Sequence, residues 1–177
     1  RLGLMAGADM LSQTARDFGF GVSTGIDLPG EAQGFIPTRI WKRMKFLDGW
    51  YDGDTANFSI GQGFLQATPL EIVSAMNVLS ANGYSVKPHL LKKVNGLNLE
   101  TISRTRLDIS SSTIKEVKQG MSMVVNFAGG TAGQLSALKM EVCGKTGTGQ
   151  NSQGLAHGFF VGYFKYNNVT YTFGVFI

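Results

Sequence analysis

A chain of 177 residues, 43% hydrophobic and with a mean hydropathy of +0.03, is long enough to bury the core of one domain. Its 16 Lys and Arg against 12 Asp and Glu leave a small positive excess that is scattered, never gathered into a basic arm, which argues against a nucleic-acid partner. No apolar run approaches the roughly eighteen residues of a membrane span, and the single cysteine, Cys143, excludes an internal disulfide and reads as a small buried hydrophobe in a strand.

The elements follow in chain order. Leu4, Ala8, Leu11, Ala15 and Phe18 recur at helical spacing, and the GFG that follows predicts a stop. STGIDLPGEAQGFIP is dense in glycine, proline and acidic residues without a period, and reads as an ordered surface loop. Arg39, Trp41, Lys42, Arg43 and Lys45 read as a solvated or loop-packing cluster. TPLEIVSAMNVLSANG has the best helical pattern: Thr68 caps, Pro69 suits the first position, Glu71 completes a capping box, and Ile72, Val73, Met76 and Leu79 make the buried face. Gly83 stands where a left-handed residue ends the helix.

KPHLLKKVNGLNLETI reads as a hairpin turning at Asn95 and Gly96, and a further helix is expected to begin near Thr113, with Glu116 completing its start, and to end by Gly129 and Gly130. From Lys139 the period shortens to that of strands: KMEVCGKTGT, HGFFVGYF and NVTYTFGVFI, the last two joined across Tyr166, Asn167 and Asn168. The chain opens on Arg1 and stops inside the apolar YTFGVFI, so it is expected to be a piece of a longer protein.

The chemistry concentrates in GKTGTGQ. A lysine, hydroxyls and glycines at a strand edge offer an ammonium and hydrogen bonds to a substrate carboxylate, with room for a ligand backbone. Read without its flanks, Lys145 is first of all a solvated lysine that blunts a sheet edge. A phosphate loop is excluded by spelling, since the position needing its first glycine is Lys139. His157 reads as a structural hydrogen-bonding residue, and Cys143, His89 and His157 lack metal-ligand spacing.

The flanks carry a resemblance over essentially the whole chain. TGIDLPGEAQGFIPT, GDTANFSIGQGFLQATPLEIVSAMNVLSANGY, GMSMVV with GGTAG, and GKTGTGQ with HGFFVGYF resemble, in order and spacing, the transpeptidase domains of class B penicillin-binding proteins. GWYDGDTANFSIGQG, with Trp41 and Lys42 upstream, looks most like the elongation-type subfamily, penicillin-binding protein 2.

That resemblance implies an α/β fold, an antiparallel five-stranded sheet flanked by helices, in which residues 1–177 are the C-terminal part of one domain truncated at both ends. Two strands and the nucleophile helix would lie upstream, leaving an open edge and exposed apolar surface. It implies a serine D,D-transpeptidase acting on D-Ala-D-Ala stem peptides and captured by β-lactams, with no cofactor or metal. The parent would be membrane-anchored with its catalytic domain on the outer side, and elongation-complex membrane proteins would be partners. Lys145 would polarise the site and assist proton transfer, Thr146 and Thr148 would hold the carboxylate, Gly147 would keep the strand open, and the Thr148 N–H would be an oxyanion donor. Gly149, where the family often has alanine, is expected to loosen the strand end.

The family's Ser-x-x-Lys and Ser-x-Asn motifs are spelled here by Ser112 to Lys115, Ser136 to Lys139 and Ser80 to Asn82, but in the wrong order and context. They are expected to be silent, with the true motifs ahead of Arg1. The alternative from another class is a non-catalytic penicillin-recognising sensor. Lys145, Thr146 and Thr148 are expected on an edge strand paired with the His157 to Phe164 strand, Lys145 facing a groove.

Overall fold

The computed structural model describes residues 1–98, 103–138, 140–150 and 154–177. The three apolar runs at the end of the chain become β5 (Val142–Gly149), β6 (His157–Tyr166) and β7 (Val169–Phe176), an antiparallel sheet in the order β5-β6-β7. Asn167 and Asn168 close the second hairpin, both left-handed at φ 47° and 60°, the turn whose twist matches that of paired strands. Alternation puts Cys143, Val161, Tyr163, Thr172 and Gly174 on one face and Val142, Phe160, Phe164, Phe173 and Val175 on the other.

The first face is covered by α4 (Pro69–Ser80) and α5 (Ser111–Asn126). Met76, Met121 and Cys143 form its buried cluster, with Leu79, Val161 and Tyr163 packed against it, and the Ser80 and Thr172 hydroxyls, 3.0 Å apart, tie α4 to β7. On the second face Phe160, Phe164, Tyr171 and Phe173 make ring contacts at 5.3 to 5.8 Å. Tyr171 and Val175 there remain 45% and 52% exposed, the open apolar surface expected of a three-stranded sheet.

α4 is built by its cap. The Thr68 hydroxyl accepts the Glu71 N–H at 3.1 Å, and the Glu71 carboxylate accepts the Thr68 N–H at 2.8 Å. Glu71 is only 1% exposed because the same carboxylate also accepts the N–H groups of Gly21 and Gly34, so the cap doubles as the peg on which the 21–34 loop hangs. Glu31 orders that loop from within, accepting from the Thr24 N–H and hydroxyl and from the Gly25 N–H. The buried side of α4 differs from the expected stripe: Ala75, Met76 and Val78 are buried, whereas Ile72, Val73 and Leu79 are half-buried. The helix is held by the sheet on one side and the loop on another, so its burial is not confined to one face. Thr68→Ala is expected to cost about 1 kcal/mol of stability, read by chemical denaturation.

Several elements depart from the sequence reading. α5 starts at Ser111, not Thr113: Ser110 is the cap and its hydroxyl accepts the Thr113 N–H at 3.0 Å. Ser112 therefore lies inside the first turn. α1 (Leu2–Asp17) ends where expected but is broken at Gly7, whose φ of 79° is not helical. The basic cluster becomes α2 (Arg39–Phe46), capped by Thr38 and followed by α3 (Asp52–Ser59).

Its lysines and aromatics have separate fates. Lys42 is buried at 6% exposure rather than solvated, its Nζ 2.6 Å from Asp54 and 3.5 Å from Asp48. The hydrogen bond to Asp54 holds the Lys42 ammonium above its ordinary pKa, against burial. Trp41 packs on Phe35, Phe46 and Phe64, while Arg39 pairs with Asp9 on α1.

The expected hairpin is present as β2 (Lys93–Val94) and β3 (Leu97–Asn98), with Asn95 and Gly96 left-handed between them. Outside it, β1 (Tyr84–Val86) pairs with β4 (Arg104–Arg106). Residues 99–102 of the expected second hairpin arm, and Lys139 at the expected start of the next strand, lie outside the described residues.

Candidate functional site

β5 is an outer strand of its sheet, and it carries Lys145, Thr146, Gly147 and Thr148. Its register with β6 pairs Lys145 with Val161 and Thr148 with Gly158, as expected for an edge strand beside the His157 strand. The direction of its backbone groups follows from β7. Both the N–H and the C=O of Gly158 bond Ile177, on the β7 side. Thr148 opposite is thus in a non-hydrogen-bonded pair, and its N–H and C=O point away from β6 toward the open edge; Thr146, two residues back, has the same polarity.

The neighbours agree with that direction. Gln62, between α3 and α4, donates its side-chain amide to the Thr148 carbonyl at 3.1 Å. Lys145 Nζ curls along the strand to the Thr146 carbonyl at 2.7 Å, and the Thr146 and Thr131 hydroxyls meet at 2.7 Å. Lys145, Gly147 and Thr148 are exposed and Thr146 is half-buried. The edge thus displays an ammonium, two hydroxyls and an outward N–H within four residues, a set that can bind a carboxylate and a developing oxyanion.

The glycines of β5 separate by what stands behind them. A Cβ on Gly144 would lie 2.5 Å from Phe160 Cζ and 2.8 Å from the Val161 carbonyl oxygen, so packing demands glycine there. At Gly147 a Cβ would meet Phe159 at an ordinary 3.6 Å, so packing makes no such demand. At Gly149 a Cβ would lie 2.7 Å from Phe159 Cε2, so this glycine admits the Phe159 ring.

Among the described residues the hydroxyls of Ser80, Ser112 and Ser136 are engaged away from this edge. Ser112 shares its hydroxyl with Ser110 at 2.8 Å, and Ser136 donates to the Gly133 carbonyl in a 3-10 turn (Gly133–Ala137). Lys139, its would-be partner, lies outside the described residues. Ser80 is committed to Asn77 and Thr172 at the end of α4, and Asn82 accepts from Lys118. His157 opens β6 opposite Gly149, its ring 6.5 Å from that of Phe159. Among the described residues no three His, Cys, Asp or Glu side chains gather as a metal site.

Sequence reasoning missed Gln62 and Thr131 as neighbours of the edge. Both lie in segments that carried the resemblance, GQG and GGTAG, but their contacts span 86 and 15 residues of chain and leave no local signal.

The chain matches the family model for the penicillin binding protein transpeptidase domain over residues 1–177. A curated relative, peptidoglycan D,D-transpeptidase MrdA of Haemophilus influenzae, is 38% identical, with 92% of this chain and 28% of that protein aligned. MrdA of Escherichia coli K12 is 37% identical over 81% of this chain and 24% of its own length. Among solved structures, Pseudomonas aeruginosa PBP2 in complex with WCK 5153 superposes with a TM-score of 0.88 at 33% identity, covering 99% of this chain and 39% of that one. The complex of PBP2 and MreC from Helicobacter pylori gives a TM-score of 0.84 at 29% identity, over 99% of this chain and 32% of that one. This chain thus spans between 24% and 39% of these four proteins.

Proposed function

Because the chain belongs to the penicillin-binding protein transpeptidase family, we propose that it is the C-terminal part of a peptidoglycan D,D-transpeptidase domain and supplies one wall of the active site. The observation that carries this reading is the outward edge of β5, where the Lys145 ammonium, the Thr146 and Thr148 hydroxyls and the Thr148 N–H are presented together. In this reading a serine on a Ser-x-x-Lys motif ahead of Arg1 attacks the carbonyl between the two D-Ala residues of a stem peptide. Terminal D-Ala leaves with a proton, and the acyl-serine passes the stem to an amine of a neighbouring strand.

Lys145 balances the stem carboxylate and assists the proton transfer, while Thr146 and Thr148 hydrogen-bond that carboxylate. The Thr148 N–H is one of two donors for the oxyanion, the other being that of the nucleophile. Gly147 leaves the strand bare toward the ligand, consistent with the absence of any packing demand behind it. A β-lactam occupies the same edge and is opened by the same serine. The parent is anchored in the membrane with this domain on its outer side, and it works in cell elongation beside membrane proteins. The Helicobacter pylori relative seen in complex with MreC supports that partner class.

The test is to incubate the full-length protein with labelled penicillin and follow the intact mass. Formation of one covalent adduct, with release of D-Ala from a stem-peptide donor, is expected; a folded protein that takes up no label would replace this reading with the penicillin-recognising sensor.

Gln62 gives a finer check. By holding the Thr148 carbonyl it fixes the peptide plane next to the proposed oxyanion donor. Gln62→Ala is expected to slow acylation about tenfold, through the chemical step more than through binding, with an unchanged melting temperature. An unaltered rate would remove the side chain from the positioning of the strand.

A further inference from the structure

Five residues back along β5 from Thr148, about 17 Å at the rise of a strand, the sheet's helix-covered face ends in a cavity of about 560 Å³. Lys115 and Lys118 of α5, Lys165 of β6, Glu141, Tyr163 and Thr170 are among its walls. The lining thus holds three lysines and one glutamate, an excess of two positive charges.

Lys118 is the inner of these cations. Its Nζ donates to the Ser80 carbonyl at 3.3 Å and to Asn82 Oδ1 at 2.7 Å, and lies 5.5 Å from the centre of the Tyr163 ring. The Ser80 carbonyl is an open acceptor at the end of α4, so one bond serves that helix terminus. Both acceptors are neutral, and they use two of the three ammonium protons. Among the described residues the ion pairs are those of Arg39 with Asp9 and of Lys42 with Asp48 and Asp54, so none of the cavity lysines is neutralised by a carboxylate. Burial accordingly holds the Lys118 ammonium below its ordinary pKa, the mark of a charge removed from water without a counter-charge.

We propose that this cavity is a binding site for a small phosphate-bearing anion, held between Lys118, Lys115 and Lys165 and separate from the β5 edge. The excess of positive charge disfavours a cation, and a wall of three ammonium groups disfavours an apolar ligand. A phosphate group offers several oxygens to ammonium donors that approach from different sides, where a single carboxylate offers two. The 560 Å³ volume admits more than an orthophosphate, which favours a phosphate ester or a pyrophosphate.

The full-length protein titrated calorimetrically with inorganic pyrophosphate at low ionic strength is expected to bind one equivalent, more tightly than inorganic phosphate and more weakly as salt is added. Because Lys118 also holds the end of α4, the decisive variant is Lys165→Gln, whose side chain is exposed. It is expected to weaken pyrophosphate binding on the order of tenfold, and Lys118→Gln by at least as much. Lys93→Gln, which removes an equal charge from the exposed β2 hairpin, leaves the affinity unchanged. Absence of saturable binding, or an equal loss in Lys93→Gln, would overturn the proposal.

Discussion

The full-length protein carrying Lys145→Met is expected to acylate with penicillin on the order of a thousandfold more slowly than its parent, with no change in melting temperature. The two halves of that outcome rest on different observations. Lys145 is exposed, and its hydrogen bond is to the Thr146 carbonyl beside it, so the fold loses almost nothing when the ammonium is replaced. The proposed site loses the cation that meets the ligand carboxylate in a charge-assisted bond and that helps move the serine proton. Lys145→Arg keeps the charge but replaces a compact ammonium with a planar fork, and is expected to recover little of the rate. Stopped-flow acylation separates the effects, since loss of carboxylate binding raises the half-saturating concentration and loss of proton transfer lowers the limiting rate. A variant that acylates within about threefold of the parent would return Lys145 to the role of a solvated edge lysine.

What could be read from the sequence, and what could not, divides by the range of the interactions. The three terminal strands were legible because each is a run of eight to ten residues rich in β-branched or aromatic side chains, and two left-handed asparagines mark the second hairpin. The α4 cap was legible because Thr68 and Glu71 are three residues apart and satisfy each other. Its fuller role was not, since Gly21 and Gly34 reach the same carboxylate from 50 and 37 residues away.

α2 misled for the opposite reason. Its apolar Ile40 and Met44 are 73% and 76% exposed while its buried residue is Lys42, so hydrophobic periodicity points the wrong way and only the pairing with Asp54 explains the burial. At the candidate site the Lys-Thr-Gly triplet announces itself in the chain. Its outward backbone polarity, and its contacts with Gln62 and Thr131, exist only once β5 has taken its place against β6. Gly149 belongs with these: read from the chain it only loosens a strand end, whereas in the fold it admits the ring of Phe159.

The 177 residues expressed by themselves are expected to form no covalent adduct with penicillin, a complete loss compared with the full-length protein. The ligand is gripped by one set of groups and opened by another. Lys145, Thr146 and Thr148 can hold a carboxylate and an oxyanion, but none of them is the nucleophile in the proposed reaction, and removing the nucleophile abolishes acylation however well the other donors are arranged. The serines that spell the motif do not replace it. Ser112 is bonded to Ser110 at the start of α5, Ser136 to the Gly133 carbonyl, and Ser80 is buried between α4 and β7, and none has a hydrogen bond to the β5 edge among the described residues. Intact-mass spectrometry after incubation with a labelled penicillin reads the result directly, because acylation adds the whole antibiotic. A circular dichroism melt of the same sample establishes that the chain is folded when tested. A stoichiometric adduct mapped to Ser112 or Ser136 would make that serine the working nucleophile and would require the active site to be rebuilt around α5 or the 3-10 turn. An adduct that forms only when the upstream sequence is restored places the attacking serine there and leaves to β5 the binding of the carboxylate and of the charge that develops on the carbonyl oxygen.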